Sequence, residues 1–249
     1  MESSLIRSVR RLFATTPRVY LATLKMLQRG SPEKRLYISI LRKGDVVIDA
    51  GANVGYFTML FSDLVGASGW VHAFEPVPGT FNLLSNNLRR FPYYRNVSMN
   101  CAALGDRDER TKIFLPNGDY GQAALAYHRD GSWKDAQVAP IDIEMMRLDR
   151  YAQQLNRIDL LKCDVEGAEL LVLRGAEWSL RRFRPKIFLE LDERWTTSFG
   201  WTPGEVIRFL SGLGYRHFYD IEPRREKIDE ERFSCSVLLS SWEEIRGLA

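Results

Sequence analysis

The stretch Val46-Val47-Ile48-Asp49-Ala50-Gly51-Ala52-Asn53-Val54-Gly55-Tyr56 decides the fold. Three β-branched residues ahead of Asp49 and Ala50 read as a buried strand. Gly51 and Gly55 bracket a tight turn. Behind it, Phe57, Leu60, Phe61, Leu64 and Val65 recur at helical spacing. A second strand, Val71-His72-Ala73-Phe74, ends in the carboxylate of Glu75 and in Pro76. Strand–turn–helix–strand units of this kind gather functional groups at the carboxyl ends of their strands.

Outward from that run the alternation continues. The spacing predicts a strand over 46–50, a helix over 55–65, a strand over 70–75, a helix over 79–91 and a strand over 97–104. Residues 105–157 lose the rhythm and are too long for a plain connection. They read as an insertion of short strands and loops, placed to bind a substrate. Alternation resumes with a strand over 158–164, a helix over 167–180, a strand over 186–192, a helix over 203–213 and strands over 215–221 and 234–240. Pro203 at its first turn and Gly214 at its end delimit the helix over 203–213. The expected architecture is α/β, with a mostly parallel sheet covered by helices on both faces. Residues 1–40 read as a basic N-terminal helical cap. Residues 41–249 read as one domain carrying the 105–157 insertion.

Composition excludes several classes. The chain has 249 residues, 45% hydrophobic and 27% charged, with a net charge of +3. That is ordinary globular composition, and the charge is too mild to argue for nucleic acid. Cys101, Cys163 and Cys235 form no C-x-x-C pair, which argues against a disulfide framework or a zinc site and suits a reducing, cytoplasmic setting. No apolar run is long enough to span a bilayer, and residues 1–30 have no signal-peptide core. Within residues 5–29, Arg7, Arg10, Arg11, Arg18, Lys25 and Arg29 accompany an apolar face of Leu5, Ile6, Val9, Leu12 and Phe13. Two readings stand. One is a cap packed on the domain, favoured because two short helices bind membranes weakly. The other is weak membrane-surface contact, peripheral at the inner membrane face. A transit peptide is a third, weaker reading. Nothing in the sequence sets the oligomeric state.

The turn has the spacing G-x-x-x-G and not the G-x-G-x-x-G of dinucleotide binders. Its amides are expected to face outward and receive an anion. Asp49 would repel a pyrophosphate but accept hydrogen bonds from an ammonium group. Glu75 suits a pair of ribose hydroxyls, since an ionised carboxylate accepts both. Taken singly, these residues are a common turn and a solvated acid. Taken together on consecutive strands, they fit a ligand with an ammonium, a carboxylate and a ribose but no phosphate. S-adenosylmethionine has that set.

Four ordered segments then carry a resemblance. Asp49-Ala50-Gly51-Ala52-Asn53-Val54-Gly55-Tyr56-Phe57-Thr58 resembles the first motif of the FkbM family of S-adenosylmethionine-dependent methyltransferases. Phe74-Glu75-Pro76, Asn100-Cys101-Ala102-Ala103-Leu104-Gly105-Asp106 and Leu161-Lys162-Cys163-Asp164-Val165-Glu166-Gly167-Ala168-Glu169-Leu170 follow in order, and Pro185 to Glu190 resembles the next strand. The resemblance covers roughly 44–192. It implies the class I methyltransferase fold, a Rossmann-like seven-stranded sheet with its last strand antiparallel. It implies that Asp49, Gly51, Asn53 and Gly55, with Ala52 and Tyr56 beside them, form the methionine-end loop. Glu75 and Pro76 would hold the ribose, and Ala102, Ala103 and Leu104 would flank the adenine. Its amino group would be left to Asp106 or to the backbone.

Methyl transfer to a hydroxyl needs a base for the departing proton. Asp164, Glu166 and Glu190 end neighbouring strands on one edge and are the candidates, with Asp164 also at the cofactor. The blander reading has Glu166 capping the turn and Glu169 favouring a helix N-terminus. The acids show no fixed metal-ligand spacing, so no metal is assigned. His72 and His217 read as structural. His128 reads either as a surface residue or as one reaching substrate. Tyr120, Tyr127 and Trp133 are either a sugar-stacking surface or the insertion's own core. The expected function is O-methylation of a sugar hydroxyl, on a glycan or lipid-linked saccharide, or of a secondary metabolite. Two alternatives stand beside it. A nicotinamide-dependent oxidoreductase is disfavoured by Asp49 and the glycine spacing. A non-catalytic cofactor-binding scaffold is disfavoured by the presence of Asp49, Glu75 and Asp164 together.

Overall fold

Strands β1 (Val46–Ala50), β2 (Trp70–Phe74), β3 (Val97–Asn100), β4 (Ala103–Leu104), β5 (Glu109–Pro116), β6 (Val138–Met146), β7 (Leu160–Cys163), β8 (Lys186–Glu190), β9 (His217–Asp220) and β10 (Val237–Ser241) build two sheets. The larger has seven strands in the order β3-β2-β1-β7-β8-β10-β9, and the smaller has three in the order β4-β6-β5. In the large sheet β10 runs antiparallel to both neighbours and the other pairings are parallel. The computed structural model describes residues 32–116, 123–126, 133, 136–221 and 237–245. Residues 1–31 of the expected cap, Tyr120, Tyr127, His128 and Cys235 lie outside the described residues.

Helices cover both faces. α1 (Pro32–Ile40), α2 (Tyr56–Val65), α3 (Pro78–Arg89), α4 (Leu148–Tyr151), α5 (Glu169–Arg174), α6 (Glu177–Phe183), α7 (Glu193–Thr196) and α8 (Pro203–Leu213) follow in chain order. A buried parallel strand alternates its side chains between two cores. Val47, Leu160 and Phe188 pack with Leu36, Tyr37 and Phe61 beneath α1 and α2. Ile48, Leu161 and Ile187 pack with Leu173, Leu180 and Leu210 on the other face. The sheet register aligns Asp49, Lys162 and Phe188 in one cross-strand row. α8 has the expected bounds, with a Thr202–Glu205 capping box at its start and Gly214 in left-handed geometry at its end.

Two expected elements are divided. The strand over 97–104 ends at Asn100, bends at Cys101 and Ala102, and restarts as β4 in the small sheet beside β6. The helix over 167–180 is α5 and α6, broken at Gly175, where an added β-carbon would lie 1.8 Å from the Gly105 carbonyl oxygen. The insertion is a long β5–β6 hairpin joined by β4, with a small core of Val77, Ala103, Ile113, Ile143 and Met145. Among the described residues no helix is long and apolar enough to cross a membrane.

Candidate cofactor and acceptor site

Strands β1, β2, β7 and β8 deliver their carboxyl ends to one place. Gly51 adopts φ +74, and an added β-carbon there would lie 1.8 Å from the backbone oxygen of Asp164. The exits of β1 and β7 therefore nearly touch, which only glycine permits. Asn53 follows at φ +50, a left-handed position that asparagine tolerates better than most residues. The expectation of outward-facing amides is corrected. Gly51 and Ala52 both donate to the Phe74 carbonyl at 3.1 and 2.9 Å. Asn53 N–H donates to Glu75 Oε2, Val54 N–H to Asn53 Oδ1, and Gly55 N–H to the Ala52 carbonyl. The Phe74 carbonyl, the Glu75 and Asn53 side chains and the turn's own Ala52 carbonyl engage these donors within the protein.

Glu75 is 5% exposed. Its Oε2 accepts from Asn53 N–H and its Oε1 from Val77 N–H, both at 2.9 Å. Burial pushes its carboxyl up to about 7, against the pull of those two amides. Each oxygen keeps acceptor capacity, so the fixed carboxylate can receive two hydroxyls.

A cavity of about 210 Å³ starts at Glu75, Pro76, Val77 and Ala102–Leu104 and reaches Asp164, Val165, Glu166 and Glu190. Gly51, Asn53 and Phe74 line it between the two ends, and Ile113, Ala123 and Leu125 of the insertion add apolar wall. The structure thus brings together Gly51, Asn53, Glu75, Pro76, Ala102, Ala103, Asp164, Glu166 and Glu190. Asp49, Ala52, Gly55, Tyr56 and Asp106 are not among the lining residues. Asp49 is fully buried below the turn, where Thr58 Oγ1 donates to its Oδ2 at 2.6 Å and burial raises its carboxyl.

Lys162 is the residue the sequence reading passed over. Its ammonium donates to the Gly51 carbonyl at 3.0 Å, lies 3.0 Å from Asp164 Oδ2 and 3.6 Å from Asp49 Oδ1. The available signal was a lysine inside the apolar run Leu160-Leu161-Lys162-Cys163. Glu33 was also passed over. It stands on α1, receives the Tyr37 hydroxyl at 3.1 Å and is raised to about 7, chiefly by burial.

The far end of the cavity is acidic. Glu190 is raised to about 7 by burial, then by the charges of Asp164 and Glu33 and a hydrogen bond with Asp164. Glu166 is raised to about 8 by burial and by Asp164, Glu190, Glu169 and Asp192. It sits at φ +51 in the turn that Gly167 continues. Glu169, not Glu166, braces that turn: its Oε1 accepts from Val165 and Gly167 N–H, both at 3.2 Å, and burial raises it to about 8. Carboxyls that titrate near neutrality can take up a proton there.

His72 and Trp133 settle outside the cavity lining. His72 Nδ1 meets the Tyr151 hydroxyl at 2.8 Å, and burial lowers its pKa to about 4. Trp133 is fully buried edge-on to Trp195, with ring centroids 6.0 Å apart, so it belongs to the packing. Among the described residues no group of three or more His, Cys, Asp or Glu is arranged to hold a metal ion.

Comparison with known proteins bears on this site. A family model described as "Methyltransferase FkbM domain" matches residues 49–217. The 31-O-demethyl-FK506 methyltransferase FkbM of Streptomyces tacrolimicus is 30% identical over 213 residues, covering 74% of this chain and 77% of that relative. Methyltransferase sdnD of Sordaria araneosa is 28% identical over 173 residues, covering 58% of this chain and 66% of the relative. The crystal structure of methyltransferase FkbM from Methylobacillus flagellatus shares the fold at a TM-score of 0.53 and 14% identity, covering 94% of this chain and 57% of that one. The match to sdnD thus spans just under two thirds of that relative's length.

Proposed function

The chain belongs to the FkbM methyltransferase family, and on that premise we propose that it transfers a methyl group from S-adenosylmethionine to a hydroxyl oxygen of a sugar or secondary metabolite. The observation that carries this reading is one cavity joining a buried, doubly anchored carboxylate to a cluster of acids. Glu75 suits the ribose, and Ala102–Leu104 with Ile113, Ala123 and Leu125 suit an adenine. Gly51, Asn53 and the acidic end suit the cationic methionine portion. Among the described residues, Glu75, Asp164, Glu166 and Glu190 line this cavity and no lysine or arginine does, which fits a cation and disfavours a pyrophosphate.

Bound there, S-adenosylmethionine supplies an electrophilic methyl group, so the protein contributes position and electrostatics. The Asp164–Glu190 pair is the proposed acceptor of the proton that leaves the substrate hydroxyl. Glu166 stands beside it as a second base or as a ligand to neighbouring hydroxyls. Asp49 lies too deep to be a wall and serves the loop from beneath, through Thr58 and Lys162. The name of the Streptomyces relative, an O-demethyl substrate and its methyltransferase, supports oxygen as the acceptor atom. A glycan or lipid-linked saccharide remains the preferred acceptor. The packing of Leu36, Tyr37 and Ile40 of α1 on the sheet supports the cap reading for residues 32–40, while the basic stretch over 5–29 lies outside the described residues.

Calorimetric titration tests the cofactor: S-adenosylhomocysteine binds and NADH does not, and the opposite pattern overturns the proposal. Mass spectrometry of host glycans and metabolites, with and without the gene, identifies the acceptor as the species that loses a methyl group.

A further inference from the structure

Every residue of Leu160–Cys163 is buried, and Lys162 is its one charged member. Its two 3.0 Å contacts go to different strand exits: the Gly51 carbonyl after β1 and the Asp164 carboxylate after β7. Asp49, opposite it in the ladder, lies at 3.6 Å, beyond hydrogen-bond distance. The Phe57 ring centroid is 5.6 Å from the ammonium, on the side covered by α1 and α2. Lys162 does not line the cavity, but both of its close partners do.

We propose that Lys162 is a positioning residue that clamps the cofactor turn to the acidic end of the cavity, holding Gly51 and Asp164 as one unit. The inference rests on the cofactor reading above. Burying an ammonium is unfavourable unless it is paired and hydrogen-bonded. A lysine present only to neutralise Asp49 would approach that carboxylate most closely. Here the close contacts go instead to a backbone carbonyl of the turn and to an acid of the cavity wall. Burial works against the lysine's charge, but Asp164 and Asp49 more than offset it and hold its proton. The charge therefore persists beside Asp164, Glu190 and Glu33, and it draws the Glu190 and Glu33 titrations downward.

Position and charge separate in two variants. Lys162→Met removes both. Lys162→Arg keeps the charge, but its planar fork does not reproduce a single-point ammonium contact. Binding of S-adenosylhomocysteine is measured by calorimetry, folding by circular dichroism, and the Glu190 carboxyl by ¹³C NMR titration. A lost hydrogen bond to a charged group predicts that Lys162→Met weakens binding by about 10-fold or more, with Lys162→Arg weaker by about 3-fold or more. The Glu190 titration, near 7 in the wild-type protein, moves up in Lys162→Met and returns in Lys162→Arg. Wild-type affinity in Lys162→Arg reduces Lys162 to a charge and overturns the clamp, and this variant decides alone if Lys162→Met does not fold. Wild-type affinity in a folded Lys162→Met overturns it as well. Failure of the wild-type protein to bind S-adenosylhomocysteine would sink the cofactor reading instead.

Discussion

Gly51 and Asp164 approach so closely that a β-carbon on the first would lie 1.8 Å from the backbone oxygen of the second. The obstacle is main chain, which cannot swing aside, and the φ of +74 adds strain for any L side chain. Gly51→Ala must therefore push apart the exits of β1 and β7. The expected loss of stability is about 2–4 kcal/mol, with cofactor affinity lost as well. Thermal denaturation and titration with S-adenosylhomocysteine measure both. A variant of wild-type stability and affinity would mean that the two exits are not held together.

Glu75→Gln keeps the size of the side chain but puts an amide donor against Asn53 N–H or Val77 N–H, each of which now meets a carboxylate oxygen. One buried donor is left unsatisfied and one ribose acceptor is lost. The expected weakening of S-adenosylhomocysteine binding is about 10- to 100-fold, from 1–3 kcal/mol for such a loss. Binding that is unchanged would place the ribose elsewhere.

The parts legible in the sequence are those whose causes are local. The apolar period from Phe57 to Val65, and Pro203 and Gly214 around α8, act within a few residues of themselves. The misread parts have distant causes. β4 leaves the line of β3 because Ala103 and Leu104 pair with Met145 and Met146. α5 and α6 separate because Gly175 lies against Gly105. The cavity acids were legible because they follow buried strands directly. The turn amides were misjudged because the Phe74 carbonyl, on another strand, takes two of them. Glu33 comes within electrostatic reach of Asp164 and Glu190 because Tyr37 anchors α1 on Phe61 and Phe188, far along the chain. No local signal encodes that placement.

Glu169 gives a prediction on stability. It is 1% exposed, its Oε2 has no hydrogen-bond partner among the described residues, and burial raises its carboxyl from 4.5 to about 8. Below the unfolded value of 4.5 the group is protonated in both states and its contribution is intact. As pH rises toward 8 the unfolded chain ionises more readily, so the folded state loses stability. The melting temperature should fall between about pH 5 and pH 8, with Glu75 adding to the slope over 4.5–7. Glu169→Gln, whose side-chain oxygen can still accept from Val165 and Gly167, should flatten that fall. The measurement is calorimetric melting of both proteins across the range; parallel curves would show that Glu169 does not ionise there.

The pH dependence of turnover tests the base. Glu190 titrates at about 7 because burial, Asp164 and Glu33 oppose its charge, and it shares a hydrogen bond with Asp164. A carboxyl in that condition accepts a proton only once it has lost its own. Once the acceptor is known, kcat/KM should therefore rise with pH through about 7. Asp164→Asn should lower kcat by about 100-fold or more, within the range for loss of a general base, and leave S-adenosylhomocysteine affinity less affected. Glu190→Gln removes the titrating partner, so the rise near 7 should vanish or move downward while part of the rate survives. If Glu190→Gln kept the wild-type profile and Glu166→Gln abolished it, the proton acceptor would be Glu166 and the Asp164–Glu190 pair would serve only to place the acceptor.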